Sequence, residues 1–277
     1  MNDKPSQSPF TQIVQPTAYP EVNALLEGLH AQVRHLLSEQ FVGLYLYGSL
    51  AMGDFDPQKS DIDFVVVTAG ALSTDLVSTL KALHETLAME YSRWGAQLEG
   101  SYIPRQSLRR YDPEDIWHPH IDRGDKGLVT ERHDTDWIVQ RFVLREHGRV
   151  IAGPDPKTLI DPISATDLRR AILGFMWWWR EQLENTRRVA RSGYQAYAVL
   201  TMCRILYTLE NGDVRSKPAA AHWAKTTLRA RWSPLIQRAL DWQPGIEMDR
   251  LDETLEFIRF TLDRSRDFEF LFEKGAQ

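Results

Sequence analysis

Leu44-Tyr45-Leu46-Tyr47-Gly48-Ser49, followed after a spacer by Ser60-Asp61-Ile62-Asp63-Phe64-Val65-Val66-Val67, decides how the chain is read. An apolar strand runs into Gly-Ser, and a second apolar strand opens on two carboxylates separated by one residue. Side chains alternate faces along a strand, so Asp61 and Asp63 share a face while Ile62 and Phe64 enter the core. Two carboxylates held that close repel each other and lose hydration unless a cation sits between them. Mg²⁺ suits the pair, because it takes oxygen ligands and completes its shell with water and substrate phosphates. Gly48 lets a nucleotide approach the backbone, and amides at the start of a short helix near Ser49 offer donors to phosphate. The combination points to transfer of part of a nucleoside triphosphate. No Gly-x-x-x-x-Gly-Lys phosphate loop is present.

Composition narrows the class. A chain of 277 residues with 43% hydrophobic content accommodates one large domain or two modest ones. Its formal net charge of −5 argues against a general nucleic-acid binder. An ATP site remains compatible, since a few local cations and Mg²⁺ suffice there. Cys203, the single cysteine, excludes an internal disulfide and fits a reducing cytoplasm. Met1 to Thr11 is polar, without the apolar centre of a signal peptide, and no apolar run approaches the roughly 18 residues a membrane span needs. The expectation is a cytoplasmic monomer that does not engage a membrane.

Working outward from the motif, residues up to about Pro20 read as a loose arm. Leu25, Leu26, Leu29, Val33, Leu36 and Leu37 follow helical spacing. Beyond the motif strands, Leu76, Leu80, Leu83 and Leu87 mark another helix, and residues 97–103 a third strand ending before Pro104. Helix–strand–strand–helix–strand describes an α/β half with a mixed sheet. Residues 104–135, rich in Pro, His, Asp and Gly, read as mostly loop. A helix is expected from Trp137 to His147, ended by Gly148, then an extended piece at 149–152 and a break at Gly153-Pro154-Asp155-Pro156. After Pro162 the pattern is helical, near 167–191, 195–210, 217–230, 233–242 and 248–272. The predicted architecture is an α/β catalytic domain over 1–160 followed by an all-α bundle over 161–277.

Other residues carry candidate chemistry. Glu99 shares a strand face with Gln97 and Ser101. If its strand neighbours that of Asp63, it is either a third metal ligand or a general base toward an attacking hydroxyl. Lys217 stands where the chain enters a helix after Asn211-Gly212, within reach of triphosphate oxygens as a point charge. Arg204, among Leu200, Met202, Ile205 and Leu206, needs an anionic partner if buried. Trp177-Trp178-Trp179 point about 100° apart on a helix, so at least one packs in a core or interface. His118, His120, Asp122, His133 and Asp134 hold metal-donor atoms. Their spacing lacks the accompanying cysteines or helical His-x-x-x-His of a transition-metal site.

Gly-Ser, a spacer, Asp-x-Asp and a later strand carboxylate resemble the DNA polymerase β-like nucleotidyltransferase superfamily. Val199–Tyr207, Ser216-Lys217 and Ala219–Ala224 are similar to the helical C-terminal domain of streptomycin/spectinomycin adenylyltransferases. Arg145-Glu146-His147, Ala152-Gly153-Pro154 and Asp161-Pro162 resemble that family's domain junction. The resemblance implies that Asp61 and Asp63 bind Mg²⁺, Glu99 is the base, and Gly48, Ser49 and Ser60 contact the nucleotide. It also implies that Arg204 and Lys217 reach the phosphates from the helical domain. ATP is the implied co-substrate, and an aminoglycoside or aminocyclitol hydroxyl the implied acceptor. Antibiotic-modifying members carry acids just before the arginine-bearing helix, whereas Arg191-Ser192-Gly193-Tyr194-Gln195-Ala196-Tyr197 has none. Nucleotidyl transfer to another small molecule, a protein or RNA, and nucleotide binding without catalysis, are the alternative readings.

Overall fold

The computed structural model describes residues 16–91, 93–123 and 127–270. Most of the expected N-terminal arm and the end of the last expected helix, from residue 271, lie outside these. Apolar residues at helical spacing form α1 (Pro20–Leu37), with Pro20 at its first position, where its missing N–H costs nothing. The motif follows as β1 (Phe41–Leu46), the short α2 (Gly48–Met52) and β2 (Ile62–Thr68). Then come α3 (Thr74–Glu90), capped by the Ser73 side chain, and β3 (Leu98–Pro104).

The expected loop at 104–135 is corrected. It contains α4 (Arg105–Arg109), β4 (Trp117–Ile121) and β5 (Leu128–Arg132). Pro119 hides β4, since proline normally marks an edge or a break. Here β4 pairs with β3 only at Gly100↔Ile121 and Ser101↔His120, so Pro119 stands outside that paired stretch. After α5 (Asp136–His147), β6 (Arg149–Ala152) and α6 (Pro156–Leu159), the chain is helical: α7 (Ala165–Glu184), α8 (Ser192–Asn211), α9 (Lys217–Thr227), α10 (Ser233–Asp241) and α11 (Leu251–Ser265). The helix expected to run to residue 191 stops at Glu184, and the one expected from 248 starts at Leu251.

The sheet is six-stranded and mixed, in the order β5-β4-β3-β2-β1-β6. β2 and β3 are parallel, while the other neighbouring pairs are antiparallel. Alternation divides its side chains between two cores. Phe64, Val66, Leu98 and Tyr102 pack with residues of α1 and α3. Val65, Val67 and Ile103 pack on the opposite face with Trp137, Val143 and Leu144 of α5. Asp63 and Glu99 fall on this second face, where β2 and β3 begin. A third core lies among α7, α8, α9, α10 and α11. α7 links two of the cores: Leu168 and Ala171 join the α5 side of the sheet, and Met176 and Trp179 join the bundle. Trp179 is thus the buried member of the tryptophan run, while Trp177 is exposed. No helix among the described residues is long and apolar enough to cross a membrane.

Candidate active site

Parallel pairing sets Asp63 directly beside Glu99, and Asp61 precedes them on the same face. One carboxylate oxygen from each of Asp61, Asp63 and Glu99 lies within 4.8 Å of the others. The grouping has an electrostatic cost. Burial, then the charges of Asp61 and Glu99, push the Asp63 carboxyl well above the usual range. Burial and Asp61 push Glu99 up to about 7. Clustered, half-buried oxygens whose charges oppose one another fit a hard divalent cation.

The turn above these strands is built around Asp63. The Tyr47 amide donates to the Asp63 carbonyl at 3.1 Å, which seats the start of α2 over the beginning of β2. Gly48 has φ +60°, and a Cβ there would lie 1.8 Å from Asp63 Oδ2. The sequence reading assigned this glycine to nucleotide approach; its first structural reason is room for the Asp63 carboxylate. Next to it, Ser49 Oγ is buried with no hydrogen-bond partner among the described residues. Ser60 has a local task as well. Its Oγ accepts from the Asp56 amide at 3.0 Å, and its own amide donates to the Asp56 carbonyl at 2.8 Å. This closes the turn that leads into Asp61.

The helical region brings cations to the same place. Ser216 caps α9, its Oγ accepting from the Ala219 amide at 3.3 Å, and the same hydroxyl bonds the Asp54 carboxylate in the loop after α2. A second tie joins Lys59 Nζ to the carbonyls of Leu240 and Trp242 at 3.2 and 3.3 Å. Lys217, the first residue of α9, follows the Ser216 anchor directly, and its ammonium lies 4.2 Å from the Tyr197 ring centroid. Lys217 counteracts the upward shifts of both Asp63 and Glu99, and Arg204 that of Asp63. Burial pulls the Arg204 guanidinium down, offset by Tyr197 and Asp63. Asp63, from the other half of the chain, is thus a carboxylate whose charge acts on Arg204, after Tyr197.

Gly48, Ser49, Ser60, Asp61, Asp63, Glu99, Arg204 and Lys217 all belong to one region of the structure. Three further residues join them: Asp54 was missed by sequence reasoning, while Tyr197 and His120 were named there but not placed beside Lys217 and Glu99. Asp54 anchors Ser216, and its only local signal is a carboxylate shortly after Gly-Ser. Tyr197 stands seven positions before Arg204, hence on the same helical stripe. His120, in the misread stretch, enters beside Glu99: one of its ring nitrogens and a carboxylate oxygen from each of Glu99 and Asp122 lie within 4.8 Å of one another.

The mixed sheet with its carboxylate cluster, completed by a helical region that supplies cations, is the arrangement of a nucleotidyltransferase. A nucleotidyltransferase domain model matches residues 30–114. The model of the aminoglycoside adenylyltransferase C-terminal domain matches residues 158–265. The chain belongs to the aminoglycoside adenylyltransferase family. It is 27% identical over 256 residues to an aminoglycoside (3'') (9) adenylyltransferase of Escherichia coli, covering 87% of this chain and 93% of that protein. It is also 28% identical over 203 residues to a spectinomycin 9-adenylyltransferase of Staphylococcus aureus, covering 69% and 74% respectively. Among solved structures, a spectinomycin adenyltransferase from Enterococcus faecialis, crystallised with ATP and spectinomycin, shares the fold. Its TM-score is 0.68 at 18% identity, over 88% of this chain and 98% of that one.

Proposed function

We propose that the protein transfers AMP from ATP to a hydroxyl of an aminoglycoside or aminocyclitol and releases pyrophosphate. The observation that carries this reading is the meeting of Asp61, Asp63 and Glu99 with Lys217 and Arg204. The acceptor oxygen attacks the α-phosphorus, the bond to the β-phosphate bridging oxygen breaks, and the acceptor proton passes to Glu99. A carboxyl held near 7 is matched to accepting a proton at neutral pH. Asp61 and Asp63 hold Mg²⁺, which when bound offsets charge on the phosphates. Ser49, with its unpartnered hydroxyl, Gly48 and Ser60 contact the nucleotide. Lys217 and Arg204 face the triphosphate and the departing pyrophosphate.

Residues 1–160 form the catalytic unit in this reading and 161–277 the helical one, with the site between them. A cytoplasmic location, where ATP and Mg²⁺ are held, belongs to the same proposal. The names of the relatives support the acceptor class. Within it, the start of α8 favours the less charged members. Tyr194 and Tyr197 stand with ring centroids 5.2 Å apart, the Arg188 guanidinium is 5.7 Å from the Tyr194 centroid, and Lys217 lies over Tyr197. A polycation meets aromatic faces and positive charge there rather than carboxylates. Pyrophosphate release from ATP·Mg²⁺ with a panel of aminoglycosides and spectinomycin tests the reading. Release dependent on one of these acceptors is expected, and none with any of them would refute it.

A further inference from the structure

His120 stands out among the groups that nucleotidyl transfer leaves unused. Its side chain is only 9% exposed, and Nε2 faces carboxylates: Asp122 Oδ1 at 3.3 Å and Glu131 Oε2 at 3.7 Å. Glu99 adds another, since His120, Asp122 and Glu99 each offer a donor atom within 4.8 Å of the other two. The ring is also held from behind. Nδ1 lies 2.7 Å from Ser101 Oγ, which is 3.1 Å from His133 Nε2. His133 in turn stacks on Trp137, with ring centroids 3.7 Å apart and planes 9° from parallel. A histidine whose far nitrogen is bonded to a buried, braced group has the outer-shell support that metal-ligating imidazoles show.

We infer that Nε2 of His120 and the carboxylates of Asp122 and Glu99 form a second divalent-cation site, selective for a borderline transition ion such as Zn²⁺, Co²⁺ or Mn²⁺ over Mg²⁺. The imidazole nitrogen sets the selectivity. Mg²⁺ takes oxygen ligands, whereas a nitrogen donor suits the later first-row ions, with affinity rising from Mn²⁺ toward Zn²⁺. Bonds of about 2.0–2.2 Å place neighbouring ligand atoms roughly 3–4.4 Å apart, so small side-chain rotations close the present spacing. Asp122 and Glu131 are each 40% exposed, which gives an ion a route from solvent. Glu131 is near enough to become a further ligand.

The site shares Glu99 with the Asp61/Asp63 pair. An ion on His120 therefore draws on the lone pair that would accept the acceptor proton, and Zn²⁺ is expected to inhibit turnover even with Mg²⁺ saturating. Binding itself does not depend on the acceptor or on the reading of the reaction.

The test is a titration of the full chain with Co²⁺, without nucleotide, followed by visible absorption. It is run in the Asp63→Asn background so that the first carboxylate pair is silenced. The absorption should persist in that background, be lost in His120→Asn, and weaken in affinity by at least about tenfold in Asp122→Asn. Ser101→Ala removes only the support for the ring and should weaken binding by roughly 10–100-fold. His120 is buried, so its replacement is checked by circular dichroism; if it does not fold, the partly exposed Asp122→Asn decides. Absorption unchanged in Asp122→Asn, or absent once Asp63 alone is replaced, would overturn the site. Absence of acceptor-dependent pyrophosphate release from the wild-type protein with ATP·Mg²⁺, with Co²⁺ binding intact, would refute the proposed function and leave this site standing.

Discussion

The sheet and the helical bundle bring opposite charges to one site and hold them in different ways. Asp63 and Glu99 are fixed by the parallel register of β2 and β3, with Gly48 leaving room for the Asp63 carboxylate. Lys217 and Arg204 depend on long-range ties instead. The Ser216–Asp54 bond and the Lys59 bonds to the end of α10 dock one region on the other. The negative half of the site is thus a property of a short segment, and the positive half is a property of the assembled chain. The carboxylates strain the sheet region electrostatically, and the cations relieve part of that strain.

Changes in the sheet should have the largest effects. Asp63→Asn is expected to lower turnover by roughly 10³-fold or more, the several kcal/mol a metal contributes, with the fold intact by circular dichroism. Gly48→Ala should approach this loss without touching a charge, because the new Cβ occupies the Asp63 carboxylate's space. Steady-state pyrophosphate release reads both, and a Gly48→Ala enzyme within a few-fold of wild type would remove steric protection of Asp63 from the account.

Glu99→Gln separates chemistry from stability. Turnover should fall by about 10²–10⁴-fold, while the metal-free protein becomes more stable at neutral pH. The sign follows from linkage. Glu99 is held up to about 7 in the folded state, above its unfolded value near 4.3. The folded protein therefore retains a proton that the unfolded chain releases, and stability falls as pH rises from about 4.3 through 7. Denaturant unfolding in EDTA should show wild type losing roughly 1–3 kcal/mol relative to Glu99→Gln between pH 5 and pH 8. A constant difference between the two proteins would mean that Glu99 is not held protonated by its neighbours.

On the bundle side, Lys217→Ala should raise the ATP requirement by about 10–100-fold, as expected for loss of a charged hydrogen bond, with a smaller effect on stability. The acceptor comparison is subtler. kcat/KM for spectinomycin should exceed that for streptomycin at fixed ATP·Mg²⁺, because Tyr194, Tyr197 and Arg188 offer no carboxylate to guanidinium groups. Equal or better efficiency with streptomycin would place acids elsewhere in the pocket, for which Glu181 and Glu184 on α7 are the first candidates.

The same contrast explains what could be read from sequence. The motif strands, the shared face of Asp61 and Asp63, and Glu99 on a neighbouring strand follow from alternation and spacing over short segments. The bundle helices were legible from apolar periodicity, although the turns at 186–190 end α7 sooner than its pattern implied. Arg204 and Lys217 were recognisable as cations by residue type alone; that their charges act on Asp63 required the docking of two regions. β4 and β5 were illegible because Pro119 breaks the strand pattern and because β4 pairs briefly with β3. With β4 unread, His120 could not be set beside Glu99.

The central claim is that the two regions act on one nucleotide. A double-mutant cycle of Asp63→Asn and Lys217→Ala, read as the calorimetric affinity for ATP in the presence of Mg²⁺, tests it most directly. If both side chains serve the same triphosphate, the two losses are coupled by 0.5–3 kcal/mol, roughly the range for residues in one network. Losses that add to within about 0.3 kcal/mol would mean that carboxylates and lysine act on separate sites, and would contradict the account.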